Sequence, residues 1–115
     1  MTGTMTDERI KQPRGPTIEF TGRQIASTEF ETRGHKPMSM ILEIWLSEGG
    51  ALIAVTSTAP ARGDGFEDVR AVVSEPQDDV QAMRFAVMNH FNWEARARDM
   101  VRKQLPEWDL VRRVL

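Results

Sequence analysis

Two histidines, no cysteine and no tyrosine leave this sequence few side chains that could carry a reaction at neutral pH. His90 is the better placed histidine. Glu94 follows it by four residues within a stretch of helical periodicity, so the two would share one helix face. Metal sites use pairs at that spacing, but they need further ligands, and the sequence points to none. Ser57 or Ser74 can be imagined beside His90 as a hydrolytic pair, yet no GxSxG motif marks a nucleophile. GxxxxGK[ST] and GxGxxG are also absent, and Gly63-Asp64-Gly65 is too short to mean more than a turn. The plainer expectation for His90 is a hydrogen-bonded, partly buried histidine on an apolar helix stripe. His35, beside Lys36, is expected in solvent. No catalytic residue, metal or cofactor is expected, and the balance leans away from an enzyme.

Charge offers a second kind of chemistry. Arg96, Arg98, Arg102 and Lys103, followed by Arg112 and Arg113, make the end of the chain basic. Arg98 and Arg102 are four apart on an expected helix, and Trp93 and Trp108 lie nearby. Cations interleaved with aromatics can grip and stack single-stranded nucleic acid. A nucleic-acid-binding accessory or regulatory protein is therefore one function class. Against it, Glu94, Asp99, Glu107 and Asp109 offset part of the charge, and the whole chain is formally −2. Nucleic-acid binders usually carry a basic excess. Residues 64–79 are the opposite pole, with six carboxylates against Arg70 alone. That segment could dock a basic partner or a cation, or simply be a solvated loop leading to a helix N-terminus. Arg9, Lys11 and Arg14 give the beginning of the chain only a slight basic bias.

Tryptophan is the third pointer. Trp45 and Ile41 fall on the mixed face of an expected strand, and Trp108 on a short amphipathic run near the end. Large aromatics are enriched where proteins meet. Trp45, Ile41 and Trp108 are thus the candidate partner-contact residues, with helix cover as the equally plain account of Trp45.

The elements that would position these residues are organised around 38–58, MSMILEIWLSEGGALIAVTST. Met38, Met40, Leu42, Ile44 and Leu46 alternate with a mixed set, which is the period of a strand. Gly49-Gly50 supplies a tight turn, and β-branched Ile53, Val55, Thr56 and Thr58 follow in a second strand. Before this hairpin, 17–32 is expected to be extended. Its apolar phase slips after Gly22, which suggests a bulge or a break. After it, 59–65 reads as a loop and 68–73 as a fourth strand. Helical spacing begins past Pro76, with Ser74 and Gln77 resembling a capping box. Val80, Met83, Val87, His90, Phe91 and Ala95 form the stripe, with a break expected at 89–92. Ala97, Met100, Val101 and Leu105 continue it on a second helix, and Trp108, Val111 and Leu115 on a third, short one.

Together these spacings predict an α+β protein: a three- to four-stranded antiparallel β-meander with C-terminal amphipathic helices packed on one face. Residues 1–16, polar and rich in Gly and Pro, are expected to be a flexible arm, and 17–115 a single domain. No apolar run nears the roughly 20 residues of a membrane span, and the first residues lack the core of a signal peptide. The expectation is therefore a soluble, cytoplasmic protein with no membrane contact. Its leading function class is a small non-enzymatic protein acting through protein contacts: an adaptor, inhibitor or regulatory accessory, in which a homodimer is one form.

Overall fold

The computed structural model describes residues 4–61 and 67–115. The Gly63-Asp64-Gly65 turn expected from the sequence lies outside them. Five strands form one antiparallel sheet in chain order: β1 (Thr6–Ile10), β2 (Ile18–Glu31), β3 (Met38–Ser47), β4 (Leu52–Pro60) and β5 (Asp68–Ser74). Two helices follow, α1 (Val80–His90) and α2 (Ala95–Gln104). The α+β meander is as expected, with one strand more than the three or four anticipated. Thr6–Ile10, assigned to the polar arm, pairs residue for residue with Ile18–Gly22. Its polarity suits an edge strand, where charge discourages further pairing.

The central hairpin forms in the expected place, with Ile44 opposite Ala54 and Trp45 opposite Ile53. Gly50 takes φ +93°, a conformation that suits glycine. Leu42, Ile44 and Leu46 join Leu52 and Ala54 on the helix-facing side, where they meet Met83, Val87, Met88, Phe91, Ala97, Met100, Val101 and Leu105. Ile44, Val87, Met88 and Val101 are completely buried, and burying side chains of this size contributes about 1.5–3 kcal/mol each.

The phase slip in β2 is a bulge. Gln24 pairs with Trp45 and Ala26 with Ile44, leaving Ile25 without a partner on β3. Even-numbered residues therefore change sides along β2: Phe20 lies with Trp45, whereas Ala26 and Phe30 lie with the helices. This gives the sheet a second apolar face, built from Ile53 and Val55 with Ile10, Phe20, Trp45, Val69, Ala71 and Val73 around them. Ile53 is only 1% exposed although neither helix covers that side. The sheet curls over itself to bury it. The β1–β2 turn reaches across to β5, where the Ala71 amide donates to Gln12 Oε1 at 2.8 Å, while Gln12 Nε2 donates to Pro16 O at 3.0 Å.

Helix boundaries differ from the expected ones. Asp79, not Ser74, caps α1 by accepting from the Ala82 amide. Ser74 is instead buried at the end of β5. The break between helices falls at 91–94, and Glu94 rather than Asn92 caps α2 by accepting from the amides of Arg96 and Ala97. The third helix does not form: after a turn at Pro106 and Glu107 the chain is irregular to Leu115. A helix of that length is below the roughly 12–15 residues at which one becomes even marginally stable without packing.

Close approach makes Gly22 a steric requirement. A Cβ there would lie 2.4 Å from Leu46 O and 3.0 Å from Ser47 Cα, whereas one at Gly49 would meet nothing within 4 Å. Gly22→Ala is expected to lose about 1–3 kcal/mol in urea unfolding, as overpacking does. Gly49→Ala should change it by less than about 0.5 kcal/mol. Equal values for the two would contradict the close packing of β2 on β3.

Candidate functional site

The residues singled out by chemistry divide among three places. Trp45 and Ile41 project from β3 onto the curled face. Trp45 is half-buried and meets Phe20 edge-on at 5.8 Å, so its cover comes from β2 rather than from a helix. Trp108 lies on the opposite side, packed against the helix-side core. The Arg84 guanidinium sits 5.3 Å from its ring centroid, a distance suited to a cation–π contact. The three candidate partner-contact residues therefore do not share one patch.

Trp108 borders a groove of about 540 Å³ between the sheet and the ends of both helices. Ile25, Leu46, Leu52, Val80, Met83 and Leu105 give it an apolar floor. Beyond Trp108 the chain crosses α1, where Gln81 Nε2 donates to the carbonyls of Asp109 and Val111. Leu110 is partly packed, but Val111 is 52% exposed, Val114 79%, and Leu115 fully exposed.

Three of the four basic residues of α2, Arg96, Arg102 and Lys103, have side-chain partners. Asp99 binds Arg102, and Lys103 Nζ at 3.0 Å. Hydrogen bonds from Lys103 and then Arg102 hold the Asp99 carboxyl below its usual range. Arg96 lies over the Phe30 ring, 5.3 Å from its centroid. Arg98 and Arg102 border a shallow surface hollow with Ala95 and Asp99. Among the described residues no group of three or more His, Asp or Glu side chains is arranged to hold a metal ion, and no helix is long and apolar enough to cross a membrane.

His90 ends α1 over β4, where its Nε2 lies 3.1 Å from Thr56 Oγ1. Its partner is thus neither of the serines considered from sequence. Ser57 turns to the other face of β4, and Ser74 stands opposite Leu52, at the far end of that strand. Thr56 could not have been chosen from sequence, because the pairing depends on where α1 crosses the sheet. His90 also borders a cavity of about 340 Å³ beneath the link between the helices. Glu94 borders the same cavity, but its carboxylate is engaged in capping α2.

Burial, and secondarily the positive charge of Arg70, lower the His90 pKa from its ordinary 6.5. Unfolded His90 then takes up its proton at a higher pH than folded His90. Stability from this group is complete above the ordinary value and is lost as pH falls toward the lowered one. His90→Gln should therefore flatten the difference in unfolding free energy between neutral and mildly acidic pH. Superimposable pH profiles for the two proteins would contradict the burial of the imidazole.

Comparison with known proteins assigns no family: no family model, curated protein or solved structure matches the chain.

Proposed function

We propose that this protein acts by contact with another protein rather than by catalysis, and that a second copy of the chain is its partner. The observation that carries this is the exposure of Val111, Val114 and Leu115. Their spacing, with Trp108, is that of an amphipathic helix, yet the segment is irregular, and although Trp108 and Leu110 pack on the core these three side chains stay exposed. Such a segment folds when a partner supplies the missing face, offsetting its ordering cost by the area buried. The apolar groove beside Trp108 supplies a face of that kind. Because each chain carries both features, two copies can exchange them around a two-fold axis, each seating its tail in the other's groove. Glu107 at the groove offers a carboxylate to the tail's Arg112, while Asp109 pairs with Arg113 at 3.0 Å within its own chain.

A nucleic-acid contact through Arg96, Arg98, Arg102 and Lys103 has less behind it. Asp99 pairs with two of these cations, offsetting one of their charges, and the Phe30 ring faces a third. Adaptor, inhibitor and regulatory accessory are all roles a contact protein of this size could fill.

Size-exclusion chromatography with light scattering is expected to give a dimer for the full chain at micromolar concentration. Val111→Asp combined with Leu115→Asp should give a monomer with an unchanged far-ultraviolet spectrum. A monomeric wild-type protein, or an undiminished dimer in the double variant, would refute self-association through the tail. Single-stranded nucleic acid bound with a steep salt dependence, and lost in Arg98→Ala with Arg102→Ala, would favour the second reading.

A further inference from the structure

The cavity beside His90 exists because the sheet outruns its helix layer. Thr56 stands opposite Leu42 on β3, and Met40 opposite Phe30 on β2 one row further out. Helix α1 stops over the first of these rows, at His90. Over the next row lie the residues that link the helices and, above Phe30, Arg96 from the first turn of α2.

That link is strained. Asn92 has φ +54° and Trp93 φ +52°. The left-handed region is tolerable for Asn, but it is a genuine outlier for a bulky side chain and costs of order 1–3 kcal/mol. Local contacts hold it there: Trp93 Nε1 donates to Asn89 Oδ1 at 2.8 Å, and the indole meets Phe85 edge-on at 5.5 Å. The link thus turns Trp93 back onto α1 and leaves the cavity open. The hollow, of about 340 Å³, opens to solvent on the side of Asn92 and Glu94, both exposed, while Leu42 and Phe91 at its base are buried. It falls at the small end of ligand pockets, about 300–1,000 Å³.

The lining says what would fit. Phe30, Met40, Leu42 and Phe91 offer apolar and aromatic surface. Among the polar residues that line it, Thr32 accepts from the Met38 amide and Asn92 is exposed at the margin, while Thr56 and His90 bond to each other beside the aromatic surface. A hydroxyl has one donor and two acceptor positions, so Thr56 keeps capacity for a further partner. The one carboxylate at the margin, Glu94, is committed to the helix cap. Only Oε2 of Glu94 accepts these cap bonds, and its negative charge at the margin favours a neutral ligand over an anion.

We propose that this cavity binds a small uncharged aromatic molecule, of one or two rings, carrying a single hydroxyl or ring N–H that engages the Thr56–His90 pair. Apolar cavities of about 150 Å³ accept a single benzene ring, so the size is adequate. The site is separate from the groove beside Trp108, and binding there does not require self-association.

Amide-detected NMR titration of the full chain with phenol, indole, toluene and benzoate tests this. Phenol and indole should give saturable shifts concentrated at Thr56, His90, Phe91 and Asn92. Toluene should bind about tenfold more weakly, the loss of roughly one hydrogen bond, and benzoate no better than toluene. His90→Phe combined with Thr56→Val, which removes both polar groups of the pair, should bring phenol down to the toluene level, and Met40→Trp, which fills the space from the β3 side, should abolish binding of all four. The wild-type series decides the matter even where a variant fails to fold. Absent or non-saturable shifts, shifts scattered over the surface, equal affinity for phenol and toluene, or tighter binding of benzoate would each overturn the proposal.

Discussion

Ile25 has no partner on β3, and that unpaired position decides what each side of β2 touches. Without it, residues of one parity would stay on one face along all fourteen residues of the strand. With it, Ile18 and Phe20 serve the curled face while Ala26 and Phe30 serve the helix face. The sheet becomes apolar on both sides, and each side demands cover. The helices supply one cover. The other comes from curvature, which bulges increase. The absence of a Cβ at Gly22 lets β2 lie close against Leu46 and Ser47 just before the slip.

A curled open sheet retains two edges, and in this chain glutamine amides blunt both. β1 is short and covers β2 only as far as Gly22, so the rest of β2 presents an open edge. There Gln104 of α2 mimics a neighbouring strand: its Oε1 accepts from the Ser27 amide at 3.0 Å, and its Nε2 donates to Ser27 O at 2.7 Å. Gln12 performs the acceptor half of the same service for β5 at Ala71. Edges handled in this way are poor templates for strand addition. The curled face is filled by its own side chains, and most of the cations of α2 have partners. Among the described residues the most exposed large apolar side chains are Val111, Val114 and Leu115, which is why the contact proposal rests there and not on Trp45.

Features with a local period could be read directly from the residues. The 38–58 hairpin and the stripe of Ala97, Met100, Val101 and Leu105 appear where their spacing puts them, because a period of two or of 3.6 needs only neighbours to be visible. The bulge was also legible, as a change of phase after Gly22. β1 was hidden by its composition: Thr6-Asp7-Glu8-Arg9 has one side in solvent, and its place is fixed by β2 alone. The third helix failed for the converse reason: its period is correct, but only Trp108 and Leu110 pack on the core while Val111, Val114 and Leu115 stay exposed. The site was the least legible part. Phe20 over Trp45, Thr56 beside His90 and Gln104 on Ser27 join residues 25, 34 and 77 positions apart, and each depends on a register that composition does not encode.

Amide hydrogen exchange at Ser27 and Ala71 tests the closed, curled sheet most directly. Both amides lie on sheet edges and would exchange rapidly if those edges were open. In the wild-type protein both should be protected, with Gln104→Ala exposing Ser27 alone and Gln12→Ala exposing Ala71 alone. Rapid exchange at both positions in the wild type, or protection indifferent to either substitution, would contradict the account.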